Sequence, residues 1–177
     1  MAVRHNAHTM ATSTARDFLQ PALLDRLTDN ARDNHTEPRE MRAMNKARMR
    51  AAVLRDLAWL FNSTQQASDF DWTPYPHAQR SVLNFGLPAL SGKTASSIDS
   101  RELEQMVRQA IIDHEPRILP ASLQVEATTT APLLERQNHL SFRITGKLWA
   151  QPMPLELMLQ TDIDLESGHV RVQDLLG

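Results

Sequence analysis

One stretch decides the fold, and from Asp99 to Thr130 it reads DSRELEQMVRQAIIDHEPRILPASLQVEATTT. Its first half carries an apolar stripe with the three- and four-residue steps of an amphipathic helix. The members of this stripe are Leu103, Met106, Val107, Ala110, Ile111 and His114. Asp99 with Glu102 three residues later has the form of a capping box, so the pattern predicts a helix that begins at Ser100.

The triplet Glu115-Pro116-Arg117 is predicted to end this helix. Proline disfavours helical geometry in the residue before it, so Glu115 is pushed toward an extended backbone. After the triplet the apolar period changes to two, which is typical of a half-buried strand. The alternating apolar residues there are Leu123, Val125 and Ala127. A carboxylate and a guanidinium are therefore predicted at a rigid helix-to-strand junction, which makes the triplet a candidate site.

Helices are expected to dominate the N-terminal third, after a flexible arm over residues 1–15. A short helix is predicted over Phe18–Leu27, and the polar residues that follow, up to Arg39, are interpreted as a linker. A long helix is predicted from Glu40 to Phe61, because no Gly or Pro interrupts it. Its first half is interpreted as a solvated basic face with Arg42, Lys46, Arg48 and Arg50.

The segment Tyr75–Pro88 is predicted to form ordered turns and a short helix. Pro76 can begin a helical turn, and Gly86 can supply the left-handed residue that ends it. Three apolar residues of the segment, Val82, Leu83 and Phe85, are predicted to belong to the core. Ser91-Gly92 is interpreted as a further turn.

The C-terminal third has the alternating pattern of antiparallel strands joined by short connections. Alternation over Leu140–Leu148 and Leu155–Leu165 predicts two strands beside the one after Pro120, and Val170–Val172 can add a fourth. Helices come first and strands last. The predicted class is therefore α+β, with N-terminal helices packed on one face of a small antiparallel sheet of three to four strands. Residues 16–177 are predicted to form a single domain.

Composition excludes several functional classes. The net charge of −2 gives no electrostatic case for nucleic acid or for an anionic membrane surface. The absence of cysteine excludes disulfides, thiolate zinc sites and a cysteine nucleophile. No window approaches the ~20 apolar residues of a membrane span, and the first 14 residues have no signal-peptide core, so a cytoplasmic protein is expected.

Templates for catalysis and for cofactor or metal binding do not fit the sequence. The five glycines lack the spacing of a phosphate loop, and the seven histidines lack that of a zinc site. His114 is expected to be a packed or capping residue rather than a general base. No cofactor, metal or small-molecule substrate is therefore expected.

One enzymatic hypothesis stays open, in which Glu115 is the general acid of a glycoside hydrolase with Asp113 or Glu126 as its partner. Arg117 opposes it, because a paired guanidinium would hold Glu115 ionised. An ion pair that fixes the corner, or that contacts a partner protein, is the simpler interpretation.

Several blocks in a fixed order resemble a known family. The blocks are LLDRL at 23–27, LRDLAWLFNST at 54–64, YPHAQRSVLNFGLP at 75–88, EPR at 115–117, FRITG at 142–146 and DLESG at 164–168. Together they resemble the TssE family of type VI secretion baseplate subunits. That family is similar to the small wedge protein of contractile phage baseplates, in a group labelled "lysozyme-like". The resemblance runs from about Phe18 to Val172, and its departures are Ala58 and Phe61, where the family more often has an acidic residue and leucine.

The resemblance implies a non-enzymatic subunit of the cytoplasmic baseplate that helps to initiate polymerisation of the contractile sheath. Its implied partners are the wedge subunits TssF, TssG and TssK and the sheath subunits TssB and TssC. The family's Glu-Pro-Arg motif is tied to baseplate contacts, which implies a partner-binding role for Glu115, Pro116 and Arg117. An open sheet edge can accept a partner strand, but the sequence does not show which edge is open. Two alternatives stay open: a peptidoglycan hydrolase that uses Glu115, and a small regulatory adaptor on the same fold.

Overall fold

The computed structural model describes residues 22–28, 46–66, 70–90, 92, 99–128, 139–150 and 153–176. The chain divides into two compact units, Met1–Met44 and Asn45–Gly177. In the first unit, helix α1 covers Leu23–Leu27, inside the helix predicted over Phe18–Leu27. The predicted arm over residues 1–15 lies outside the described residues, and the single domain over 16–177 stays a prediction.

Helix α2 covers Lys46–Phe61 and carries the apolar stripe that the sequence predicts. The buried residues of this helix are Met49, Ala52, Val53, Leu57, Leu60 and Phe61. Residues 40–45, which the sequence assigns to the same helix, lie outside the described residues.

Between the long helices, helix α3 covers Pro76–Gln79 and a 3₁₀ turn covers Val82–Asn84. The predicted burial of Val82 and Leu83 is wrong, because these side chains are 82% and 69% exposed. Polar contacts hold the segment instead: Asn84 Nδ2 donates to the Gln79 carbonyl at 3.0 Å, and Arg80 pairs with Asp113 at 2.8 Å. A turn fixed by its own hydrogen bonds does not have to direct its apolar residues inward.

The end of this segment does reach the core. Leu87 is buried, and Phe85 is half-buried with its ring edge-on to His114 at 5.2 Å between centroids. His114 is thus a packed residue, as expected. Gly86 has φ +125°, which confirms the predicted positive φ at this position.

Helix α4 covers Ser100–His114 and begins where the sequence predicts. Asp99 is its N-cap, and Asp99 Oδ1 accepts a hydrogen bond from the Arg101 N–H at 2.9 Å. The centre of its stripe, Leu103, Val107 and Ile111, is buried. Met106 lies at the margin of the stripe and is 36% exposed.

Four strands form one sheet in the order β1-β2-β3-β4, with every pair antiparallel. The strands are β1 Gln124–Thr128, β2 His139–Leu148, β3 Leu155–Asp164 and β4 Val170–Asp174. This confirms the α+β class. This is a meander, in which each strand pairs with the strand before it in the chain, as consecutive elements usually do.

The two faces of the sheet differ in polarity. One face carries the apolar residues, and the register places Val125, Ile144 and Leu159 side by side on it. Helix α4 packs near β1 and helix α2 packs near β4, and the two helices together cover this face. The opposite face carries exposed polar residues such as Glu126, Arg143 and Lys147.

Arg50 departs from the solvated basic face that the sequence predicts for α2. Its Nη1 lies 3.1 Å from Asp174 Oδ1, and its Nη2 donates to the Glu156 carbonyl at 2.6 Å. The side chains of Arg50 and Asp174 are only 21% and 11% exposed. Lys46 and Arg48 are exposed, as the prediction has them.

Candidate interaction site

The Glu-Pro-Arg corner, defined as Glu115, Pro116 and Arg117, is the junction between α4 and the sheet. Glu115 is the C-cap of the helix, with φ −123° and ψ 78°, so it leaves helical geometry as the following proline requires. The N–H of Glu115 still donates to the Ile111 carbonyl at 2.8 Å. The predicted end of the helix is therefore confirmed.

Immediately after the corner, the chain pairs with the end of β2. Ile118 and Leu148 form an isolated antiparallel bridge. On one side of it the Trp149 N–H donates to the Arg117 carbonyl at 2.7 Å, and on the other the Leu119 N–H donates to the Lys147 carbonyl at 2.9 Å. The backbone of the corner is thereby fixed to the sheet.

The charged side chains of the corner pair with each other. Glu115 is 3% exposed, and its Oε1 accepts from the backbone N–H and from Nε of Arg117, at 3.1 and 2.7 Å. Its Oε2 accepts from Nη2 of Arg117 at 2.5 Å. This two-pronged pairing is the strong geometry for a guanidinium and a carboxylate.

Asp56 on α2 completes the cluster, and the sequence analysis missed it. Its Oδ2 accepts from Arg117 Nη2 at 2.5 Å, and its Oδ1 accepts from Arg55 Nε at 2.9 Å. The guanidinium of Arg55 also lies 5.1 Å from the centroid of the Trp59 ring. Arg117 therefore ties α2 to the α4 corner. The sequence offered one signal for Asp56, which lies three positions after Val53 and so borders the apolar stripe of α2.

The electrostatics of the cluster keep Arg117 charged. Burial lowers the pKa of the Arg117 guanidinium, but hydrogen bonds and charge attraction from Glu115 and then Asp56 outweigh it, so the net pKa is raised. Stability from a group with a raised pKa is lost only as the pH rises through that pKa. Because the ordinary arginine pKa is already far above neutral, this pairing is not lost by deprotonation of Arg117 at any physiological pH.

The arrangement is suited to bracing rather than to acid catalysis. Both carboxylate oxygens of Glu115 accept hydrogen bonds from Arg117, and the side chain is buried, so neither oxygen is open to a substrate. Of its predicted catalytic partners, Asp113 pairs with Arg80, and Glu126 is exposed on β1. Within the described ranges, no group of three His, Asp or Glu side chains is placed to hold a metal ion.

The fold and this corner define a small α+β structural domain in which a charged pair fixes a helix to a sheet. Residues 47–153 match the family model described as baseplate wedge protein gp25. The chain belongs to the baseplate wedge protein gp25 family. It is thus a structural baseplate protein that interacts with other baseplate proteins, and the resemblance to TssE, the type VI secretion homologue of gp25, is confirmed.

The matched region includes all of α2 except Lys46, together with the corner and β2. No curated protein and no solved structure matches the chain. Across the part of the chain that the structure describes, no helix is both long and apolar enough to cross a membrane.

Proposed function

We propose that this protein is the TssE-type subunit of a type VI secretion baseplate and helps to initiate polymerisation of the contractile sheath. The observation that carries the proposal is membership of the gp25 family over residues 47–153. In this role the protein is non-enzymatic and lies on the cytoplasmic side of the membrane. Its neighbours are the wedge subunits TssF, TssG and TssK and the sheath subunits TssB and TssC.

In this proposal, Glu115, Pro116 and Arg117 shape the surface that meets a baseplate partner. The internal pairing of Glu115 with Arg117, together with the Asp56 contact, supports this role because it fixes α2, α4 and the end of β2 in one arrangement. A rigid surface loses less conformational entropy on binding than a mobile one. The peptidoglycan hydrolase is the weaker hypothesis, since buried Glu115 has no free carboxylate oxygen.

A strand of a sheath subunit can join this sheet only at an edge, and the β1 edge is occupied by side chains of α4. Glu104 accepts from the outward N–H of Ala127 at 2.7 Å, and Arg108 donates to the Leu123 carbonyl at 3.3 Å. These two contacts lie on either side of Val125. The N–H and carbonyl of Val125 also point outward, because alternate residues of a strand direct these groups to the same edge. A strand added here would have to displace both side chains.

The β4 edge is less occupied. Hydrogen bonds at Leu175–Met158 and at Asp164–His169 set the β3–β4 ladder, so Val170, Val172 and Asp174 direct their main-chain groups outward. The side-chain amide of Asn62 pairs with Val170 alone, at 2.9 Å to its N–H and 2.8 Å to its carbonyl. Among the described residues, the N–H and carbonyl of Val172 have no partner. We therefore assign β4 as the edge that accepts a strand of the sheath.

Substituting proline at the two edges tests this assignment. Val172→Pro removes an outward N–H but no hydrogen bond of the sheet's own ladder, as proline at an edge permits. We expect cells carrying this variant at wild-type abundance to lose dynamic sheaths, observed with a fluorescent sheath subunit. Val125→Pro removes the equivalent N–H from β1 and should retain them.

Circular dichroism of both purified proteins shows whether the variants are folded. Val172→Thr, which retains the outward N–H, is a second control and should assemble sheaths normally. Normal sheaths with folded Val172→Pro, or their loss with folded Val125→Pro alone, would reject β4 as the accepting edge.

A further inference from the structure

An exposed indole, that of Trp149, follows the end of β2, and exposed Lys147 lies two residues before it. Trp149 and Met153, in the connection between β2 and β3, are 50% and 70% exposed, and Pro116 is also exposed. Trp149 lies opposite Arg117, because the two are joined by the 2.7 Å hydrogen bond that flanks the Ile118–Leu148 bridge. An exposed indole is thus placed directly across from the corner.

The direction of Trp149 follows from the bridge. Ile118 and Leu148 are 2% and 0% exposed, so both side chains point into the core. Successive residues of an extended chain point to opposite sides, so Trp149 points away from the core next to buried Leu148. Its exposure therefore follows from the local geometry.

The charged side chains of Glu115 and Arg117 are less accessible to a partner than the indole of Trp149. Glu115 is 3% exposed, and Nε and Nη2 of Arg117 donate to carboxylates of the same chain. At the corner a partner can contact exposed Pro116 and the exposed indole of Trp149, whereas Glu115 is buried. Tryptophan is strongly enriched among the residues that contribute most to binding at protein interfaces.

We propose that Trp149 is the residue through which the corner contacts a neighbouring baseplate subunit, and that Glu115, Arg117 and Asp56 are positioning residues behind this contact. The occupant is a wedge subunit that offers an apolar pocket to the indole, not a charged patch. This rests on the proposed function. It is supported by the family match, which extends across Trp149 and implies contacts with other baseplate proteins.

Capture of the wedge subunits tests the proposal. The full-length tagged chain is incubated with co-expressed TssF and TssG from the same organism, and the affinity is measured. Trp149→Ala is expected to weaken binding by at least about tenfold, as for a residue at the centre of an interface. Trp149→Phe should retain most of the affinity.

Leu83→Ala is the matched control, because Leu83 is also a large exposed apolar residue, at 69%, but lies on the 3₁₀ turn. This variant should bind as tightly as wild type. The salt dependence is a second readout: apolar contact through Trp149 predicts similar affinity at low and high salt, whereas direct pairing of Arg117 with a partner predicts weaker binding at high salt.

The outcomes separate this inference from the proposed function. If wild type binds TssF and TssG, and folded Trp149→Ala binds equally well, the inference is wrong and the baseplate role stands. If wild type does not bind them, the proposed partners are wrong and the inference falls with them. If Trp149→Ala instead dissociates a homodimer, measured by sedimentation, the surface joins two copies and the stated partner is wrong.

Discussion

Replacing Arg117 with alanine is expected to lower the free energy of unfolding by about 3 kcal/mol, the lower end of the range for breaking a buried ion pair. Buried Glu115 would lose two of its three hydrogen bonds from Arg117 and keep only the backbone N–H. We use the lower end of the range because the Arg117 side chain is 24% exposed, so that water can supply part of the hydrogen bonding that Glu115 loses. Denaturation of the purified protein at neutral pH, followed by circular dichroism, measures the change.

Two further variants show whether the buried charge causes this loss. Asp56→Asn should cost only about 1 kcal/mol, because Asp56 is 25% exposed and Arg117 keeps its bonds to Glu115. The double variant Glu115→Gln with Arg117→Met removes both charges and should lose less than Arg117→Ala. A loss for Arg117→Ala no larger than that for Asp56→Asn would show that Glu115 and Arg117 do not brace the corner.

Gly86→Ala is expected to destabilise the fold by more than about 3 kcal/mol, because left-handed strain and a backbone clash add together. Gly86 has φ +125°, and a Cβ there would lie 2.3 Å from the Ser63 carbonyl oxygen. That oxygen accepts from the Leu87 N–H at 2.9 Å, in the parallel bridge between Thr64 and Leu87. The strain therefore falls on the contact that joins the end of α2 to the segment Tyr75–Pro88.

Gly92→Ala is the control for backbone strain alone. Gly92 has φ +78°, and no atom of the described residues lies within 4 Å of the position its Cβ would take. Its substitution should cost about 1–2 kcal/mol, the usual penalty for a left-handed non-glycine residue. Thermal unfolding of both variants makes the comparison. Equal losses at the two positions would show that the close approach to Ser63 can relax.

The sequence predicted the elements well where a long periodic pattern marked them. Helix α4 begins at the predicted Asp99 cap and ends at Glu115, because capping and the proline effect act within a few residues of chain. The strands were recognisable from strict alternation. Val82 and Leu83 were assigned wrongly because three residues of a 3₁₀ turn are too few to show which side is buried.

Contacts between distant residues could not be predicted in the same way. Asp56 meets Arg117 across 61 positions of sequence, and Arg50 meets Asp174 across 124. A periodic pattern tells which side of a helix is apolar, but the partner of a charged residue at its margin depends on how the elements pack. The triplet could be located from sequence, whereas its internal pairing and the third carboxylate could not.

The same limit explains why the sequence did not show which sheet edge can accept a strand. Alternation predicted three to four strands, but the occupied edge depends on which helix side chains reach the outward main chain. Glu104, Arg108 and Asn62 do so here. None of these polar residues lies in a pattern that distinguishes a side chain bonded to a sheet edge from one in solvent.

The most direct test of the central claim is sheath assembly in living cells that lack this protein, with a fluorescent sheath subunit. The proposed function predicts no extended sheaths while the other baseplate and sheath subunits remain at normal abundance. Wild-type protein should restore the sheaths, and folded Arg117→Ala at equal abundance should not. Dynamic sheaths in cells that lack the protein would contradict a role in initiating the sheath.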